Sequence, residues 1–186
     1  TQCTLTTNYK THCRGPVQKL QQPEVWLRGP LEDLPVLLQP AAFALMQTKE
    51  ELPFWLKDFP KEKLWVKPAG RASVGFHLKH LSGVLDRMLT YAKEEPLSSE
   101  QFAYLKAEEA IETNLSVEQL INVFTAKVEE ALTYFKTLEE HQLTESRSVG
   151  RKKLPSTLIG LLFHAAEHSQ RHLGQLIATA SFVKML

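Results

Sequence analysis

The chain has 186 residues, long for one ordinary domain and short for two, and 43% of them are hydrophobic, enough for a sizeable core. Lysine plus arginine total 22 and aspartate plus glutamate 21, a formal charge of +1 that carries no basic footprint for nucleic acid. No apolar run approaches the ~18 residues needed to span a membrane, and Thr1 to Gly15 lacks the apolar stretch of an export signal, so a cytoplasmic setting is expected.

Residues 1–30 read as an irregular N-terminal arm, polar and interrupted by Pro16, Pro23, Gly29 and Pro30. Its Cys3 and Cys13 are expected to be reduced thiols in a reducing compartment, and Val25-Trp26-Leu27 is the part expected to dock on the core. Residues 31–186 read as one helical domain. A first helix is expected over Val36 to Phe59, with Pro40 suited to its first turn and Pro53 expected to kink or divide it. Pro60 to Gly70 is a connector from which Trp65 can reach the core. Ser73 caps a second helix running to Lys93, and a shorter one follows over Ser98 to Ile111. Ser116 with Gln119 forms a capping box for a helix to Glu140. Gln142 to Pro155 is a loop containing Gly150 and a solvated basic trio, Arg151, Lys152 and Lys153. The last helix is expected over Ser156 to Val183. No segment alternates convincingly with period two, so the expectation is an all-α four-helix bundle without a sheet of consequence, burying Leu81, Leu85, Phe124, Leu161 and Ile177.

Five of the seven histidines fall in two helical segments: His77 and His80 in one, His164, His168 and His172 in the other. Helical residues four apart lie one turn above each other, displaced by about 40°, so His168 and His172 share a stripe that His164 extends. Two imidazoles at that spacing chelate Zn²⁺, Ni²⁺ or a similar divalent ion, and a third from another helix leaves one position open for water or substrate. The spacing alone is a weak signal. The helix around it is largely apolar, so the pair is expected to be well buried, where unpaired polar groups cost about 1–3 kcal/mol each. The zinc-peptidase pattern is excluded: it needs glutamate directly after the first histidine, and Ser169 follows His168.

Two stretches, Ser73-Val-Gly-Phe-His-Leu-Lys-His80 continuing to Arg87 and His168-Ser-Gln-Arg-His172-Leu-Gly-Gln175, resemble the DinB/YfiT superfamily of metal-dependent four-helix-bundle proteins. The resemblance covers Leu37 to Val183 and implies His80, His168 and His172 as the metal ligands. His77 and His164 remain open, each either a ligand in place of its neighbour or a group lining the same pocket. Gln175 shares the stripe of His168 and His172 and is a candidate to orient a ligand ring or the open-site water. Gly174 is expected to permit close helix packing. Arg87 either binds an anionic substrate group or pairs with Asp86 or Glu167, the ion pair being the expectation. His12 and His141 receive no role.

The resemblance further implies a metal-dependent enzyme that activates a thiol or a water, an S-transferase or hydrolase acting on a small molecule, with a low-molecular-weight thiol as a partner and a homodimer as the assembly. The alternative is a non-enzymatic metal-binding or stress-associated bundle. No nucleic-acid or membrane partner is expected.

Overall fold

The computed structural model describes residues 22–186, and Cys3, Cys13, His12 and most of the expected arm lie outside the described residues. Five helices account for the body: α1 (Gln39–Trp55), α2 (Val74–Ala92), α3 (Ser99–Ala107), α4 (Val117–Lys136) and α5 (Leu158–Met185). A two-stranded antiparallel hairpin, β1 (Ser146–Val149) and β2 (Leu154–Thr157), occupies most of the segment read as a loop. Its strands are four residues each, too short to show alternation. The basic trio lies at its exposed turn, beside Gly150 at φ 70°.

The helix starts follow local capping chemistry. The hydroxyls of Ser73, Ser98, Ser116 and Thr157 each accept the N–H three residues on, and Ser98 and Ser116 complete capping boxes with Gln101 and Gln119. α2 ends in a left-handed turn at Glu94 (φ 60°), whose N–H reaches Tyr91 O while that of Glu95 reaches Thr90 O. Pro40 sits in the first turn of α1, where no N–H is needed. Pro53 neither kinks nor divides α1, because it falls in the last turn and the helix stops at Trp55.

α5 packs against α1 and α2, and α4 packs against the same two helices from the other side, so the four long helices form a ring in the order α1, α5, α2, α4. The ring is filled by leucines and phenylalanines such as Leu45, Leu81, Leu85, Phe124, Phe135 and Leu161, all buried. Each such side chain contributes on the order of 1.5–3 kcal/mol on leaving water. Ile177 is only partly buried, at the edge of that core. Trp65 does reach the core, lying over Gly75, where any Cβ would come closer than 3.0 Å to its ring. Of the Val25-Trp26-Leu27 segment only Val25 docks, its N–H donating to Gln47 Oε1, while Trp26 and Leu27 stay more than half exposed.

α3 stands outside the ring against α2 and buries none of its own side chains. Polar contacts hold it: Gln101 donates to Asp86 Oδ2 at 2.7 Å and to Thr90 Oγ1 at 2.8 Å, and the Tyr104 hydroxyl donates to Lys79 O at 3.1 Å. The buried Lys79 ammonium donates to Ala107 O and Glu112 just beyond the helix.

Candidate metal centre

α2 and α5 are neighbours in the ring, and their histidines meet in the groove between them. One ring nitrogen from each of His80, His168 and His172 lies within 4.8 Å of the other two. His80 Nε2 is 3.0 Å from His168 Nε2, and the His172 ring centroid is 4.5 Å from those of both His80 and His168. Tetrahedral nitrogens ~2.0–2.1 Å from one ion would stand about 3.3 Å apart, so the His80–His168 spacing fits a shared cation with little movement. Among the described residues no fourth histidine, cysteine, aspartate or glutamate joins this set.

The surroundings decide which nitrogen each ring can offer. His80 Nδ1 donates to Glu108 Oε2 at 2.7 Å, which turns Nε2 toward the cluster. Phe76 stacks on the same ring with centroids 5.1 Å apart and planes within 16°. His172 Nδ1 is 2.9 Å from His77 Nδ1, so one of the two must donate and the other accept. If His172 is the donor, its Nε2 keeps a lone pair for a cation. His77 is 3% exposed and backs the cluster from beneath His172. His168 Nδ1 is buried with no hydrogen-bond partner among the described residues.

Burial first, then electrostatic repulsion among the clustered rings, lower His77 to about 4, His168 to about 4 and His172 to about 3. These rings are neutral at pH 7, the state that ligates a metal. The pair on α5 is half-buried and not fully enclosed as expected, because the groove opens outward between the two helices.

The other candidates separate clearly. His164 is exposed at the rim, 2.9 Å from Glu167, and with Glu167 and His168 it forms a second group of potential donors within 4.8 Å. The Glu167 carboxylate is already held by both His164 and Arg171. Gln175 is exposed and hydrogen-bonds to none of the histidines: it keeps to their stripe but lies about 10 Å further along the helix axis than His168, where α5 passes the start of α2. Gln170 turns the other way, donating to Ala44 O and Thr48 Oγ1 on α1. Gly174 faces open space, and a Cβ there would meet nothing within 4 Å. Arg87 does form an ion pair, but with neither Asp86 nor Glu167: its Nη1 donates to Glu108 Oε1 at 2.7 Å, both side chains buried. Asp86 instead meets Lys127 and Gln101. Glu108 was not legible in the sequence, lying 28 positions from His80 with no motif to link them. His141 lies exposed beside Glu139, away from the groove residues.

No helix among the described residues is long and apolar enough to cross a membrane. A search of curated proteins gives no match. Among solved structures, the chain is similar to YfiT from Bacillus subtilis, described as a probable metal-dependent hydrolase with an unusual four-helix bundle topology. The two align with a TM-score of 0.53 and 16% sequence identity over 89% of this chain and 94% of that one. The DinB superfamily model matches residues 44–176, which includes α2, α3, α4 and the histidine turns of α5. The chain belongs to the DinB superfamily.

Proposed function

We propose that this protein is a metal-dependent enzyme in which His80, His168 and His172 hold one divalent ion, zinc or nickel, and a small molecule reacts at the remaining position. The observation that carries this reading is the set of three inward ring nitrogens, within 4.8 Å of one another, with no fourth protein donor among the described residues. Three ligands and an open position are the pattern of a working site, whereas structural sites are closed by four. When bound, such an ion acidifies a coordinated water or thiol and so supplies a nucleophile at neutral pH.

The chain's own residues do the rest. Glu108 and His77 hold the outer nitrogens of His80 and His172, so those two rings need little reordering to bind. Phe76 lies over His80 and covers part of the groove with an apolar ring. At the rim, Arg171 and His164 converge on Glu167, a charged cluster placed to meet a polar substrate as it enters.

The resemblance in sequence supports a hydrolase or a thiol S-transferase, with a low-molecular-weight thiol as co-substrate in the second case, and the likeness to a protein described as a probable metal-dependent hydrolase is consistent with the first. The resemblance also extends to a homodimer, which light scattering measures directly. The test is elemental analysis of the purified protein, then a screen of thiols against electrophiles and of water against ester and amide substrates. One equivalent of bound metal with turnover abolished by chelator is the expected result. A metal-free protein after growth in zinc- and nickel-supplemented medium would overturn the reading. Metal without turnover, with chelation melting the bundle, would favour a metal-stabilised non-catalytic protein.

A further inference from the structure

α3 ends on the one side chain of its segment that is deeply buried. Glu108, its C-cap, is 3% exposed and divides its carboxylate between two helical partners on α2. Oε1 accepts from Arg87 Nη1 and Oε2 accepts from His80 Nδ1, each at 2.7 Å. Space for this arrangement comes from Gly83: a Cβ there would come closer than 3.0 Å to Glu108 Oε1, Arg87 Nη1 and the Tyr104 ring. A buried ion pair seldom stabilises a fold more than apolar packing of the same volume would. The Arg87–Glu108 pair therefore calls for a role besides stability, and the direction of its second oxygen supplies one.

We infer that Glu108 is a positioning residue for the metal centre: it holds His80 with the proton on Nδ1 and Nε2 bare toward His168 and His172. Arg87 neutralises the buried carboxylate and fixes its rotation, Gly83 leaves it room, and α3 delivers it. This rests on the reading that the three histidines hold an ion. A ligating imidazole commonly gives its other N–H to a carboxylate, which fixes the tautomer and raises the basicity of the ligating nitrogen. Glu108 is outside the donor set itself, so its action runs through His80.

Glu108→Gln separates this role from simple packing. An amide has one acceptor oxygen, and the guanidinium of Arg87 can only donate. With that oxygen on Arg87, the amide NH₂ faces His80, whose Nδ1 must then accept. The imidazole proton moves to Nε2, the atom that must be bare to ligate. Two measurements on the full chain follow: Zn²⁺ affinity by competition with a chromophoric chelator, and the His80 tautomer by ¹⁵N NMR of the metal-free protein. The expected result is Nδ1–H in the wild type, Nε2–H in Glu108→Gln, and zinc affinity reduced about 10- to 100-fold in the variant. Equal zinc affinity in a folded Glu108→Gln variant would overturn the inference, because a merely structural role lowers the melting temperature and leaves affinity and tautomer alone. Should the variant fail to fold, the wild-type spectrum decides: a neutral His80 carrying its proton on Nε2 overturns it. If the wild type binds neither zinc nor nickel, the metal reading fails, and the tautomer measurements still decide whether Glu108 positions His80.

Discussion

The two banks of the histidine groove are built differently. On the α2 bank, His80 is braced by Glu108 from outside and covered by Phe76, and the carboxylate is itself neutralised by Arg87. On the α5 bank, His172 leans on His77, and His168 has a buried Nδ1 with no partner among the described residues. The α5 rim beyond them is charged and open, with His164, Glu167 and Arg171 engaged mainly with one another. The α2 bank is set before any ligand arrives, while on the α5 bank His168, unlike the braced His172, has freedom left to adjust. In the proposed metal site, a rigid ring opposite an adaptable one would suit a fourth position whose occupant changes.

The largest effect that would break this comparison is loss of a ligand. His168→Ala should abolish stoichiometric zinc binding and any metal-dependent turnover while the far-ultraviolet circular dichroism stays helical. Its unfolding free energy should change by about 0.5–3 kcal/mol, the ordinary range for one substitution. The four long helices bury a hydrophobic core of their own, so chelator should leave the wild-type protein folded at room temperature, and cooperative melting on chelation would count against the open-site reading.

Acid should act next. Folded-state values near 4 for His77 and His168 and near 3 for His172 lie below the ordinary 6.5. Between those values and 6.5 the unfolded chain binds more protons than the folded one, so stability falls as pH drops through that window and is independent of these groups above it. Urea midpoints of the metal-free protein at pH 7, 6, 5 and 4 should decrease in that order. A His77→Phe/His172→Phe double variant should flatten the decline, and an unchanged slope would remove these rings as its cause.

Gly83→Ala sharpens the comparison from the α2 side. In an ordinary helix interior alanine is favoured over glycine by about 1 kcal/mol, yet here the new methyl group would intrude on Glu108 and Arg87. Zinc affinity should drop about tenfold with helicity retained. Unchanged affinity would show that the bracket can shift without moving His80. The smallest effects belong to the exposed rim. His164→Ala and Arg171→Ala should each alter stability by less than about 0.5 kcal/mol and leave zinc affinity nearly unchanged, and a large loss of affinity in His164→Ala would move the ion toward the outer donor group.

Much of this arrangement could be read in the sequence where the signal is local. Ser73, Ser98 and Ser116 announce their helices because a capping hydroxyl and the N–H that donates to it lie within one turn. The i, i+4 spacing gave the α5 stripe, but which histidine of α2 faces it came from the resemblance, since His77 and His80 both point toward α5. Arg87 was legible as a paired cation, and its partner was not, because Glu108 arrives on a separate helix whose register against α2 no spacing encodes. Gln175 sat on the correct stripe by arithmetic, but a 28-residue helix outruns its groove, and the stripe runs on into solvent there. The hairpin escaped notice because Ser146–Val149 offers neither alternation nor length, and its place is fixed partly at a distance, by Arg147 donating to Ala92 O at the end of α2.

The order of helices around the ring has a consequence for how the molecule is made. α5 is the last of the long helices in the sequence, and it sits between α1 and α2, the first two. While the chain is being synthesised, α1 and α2 therefore wait with their shared flank uncovered until α5 appears, which begins only at Leu158 and ends at Met185. Contacts so distant along the chain are slow to form, and the exposed leucines are prone to stray association in the meantime. His168 and His172 travel on α5, so the proposed ligand set is completed only by the piece that closes the ring. If the three histidines hold an ion as proposed, a nascent chain would lack a complete ligand set until α5 has formed, and loading would follow closure of the bundle.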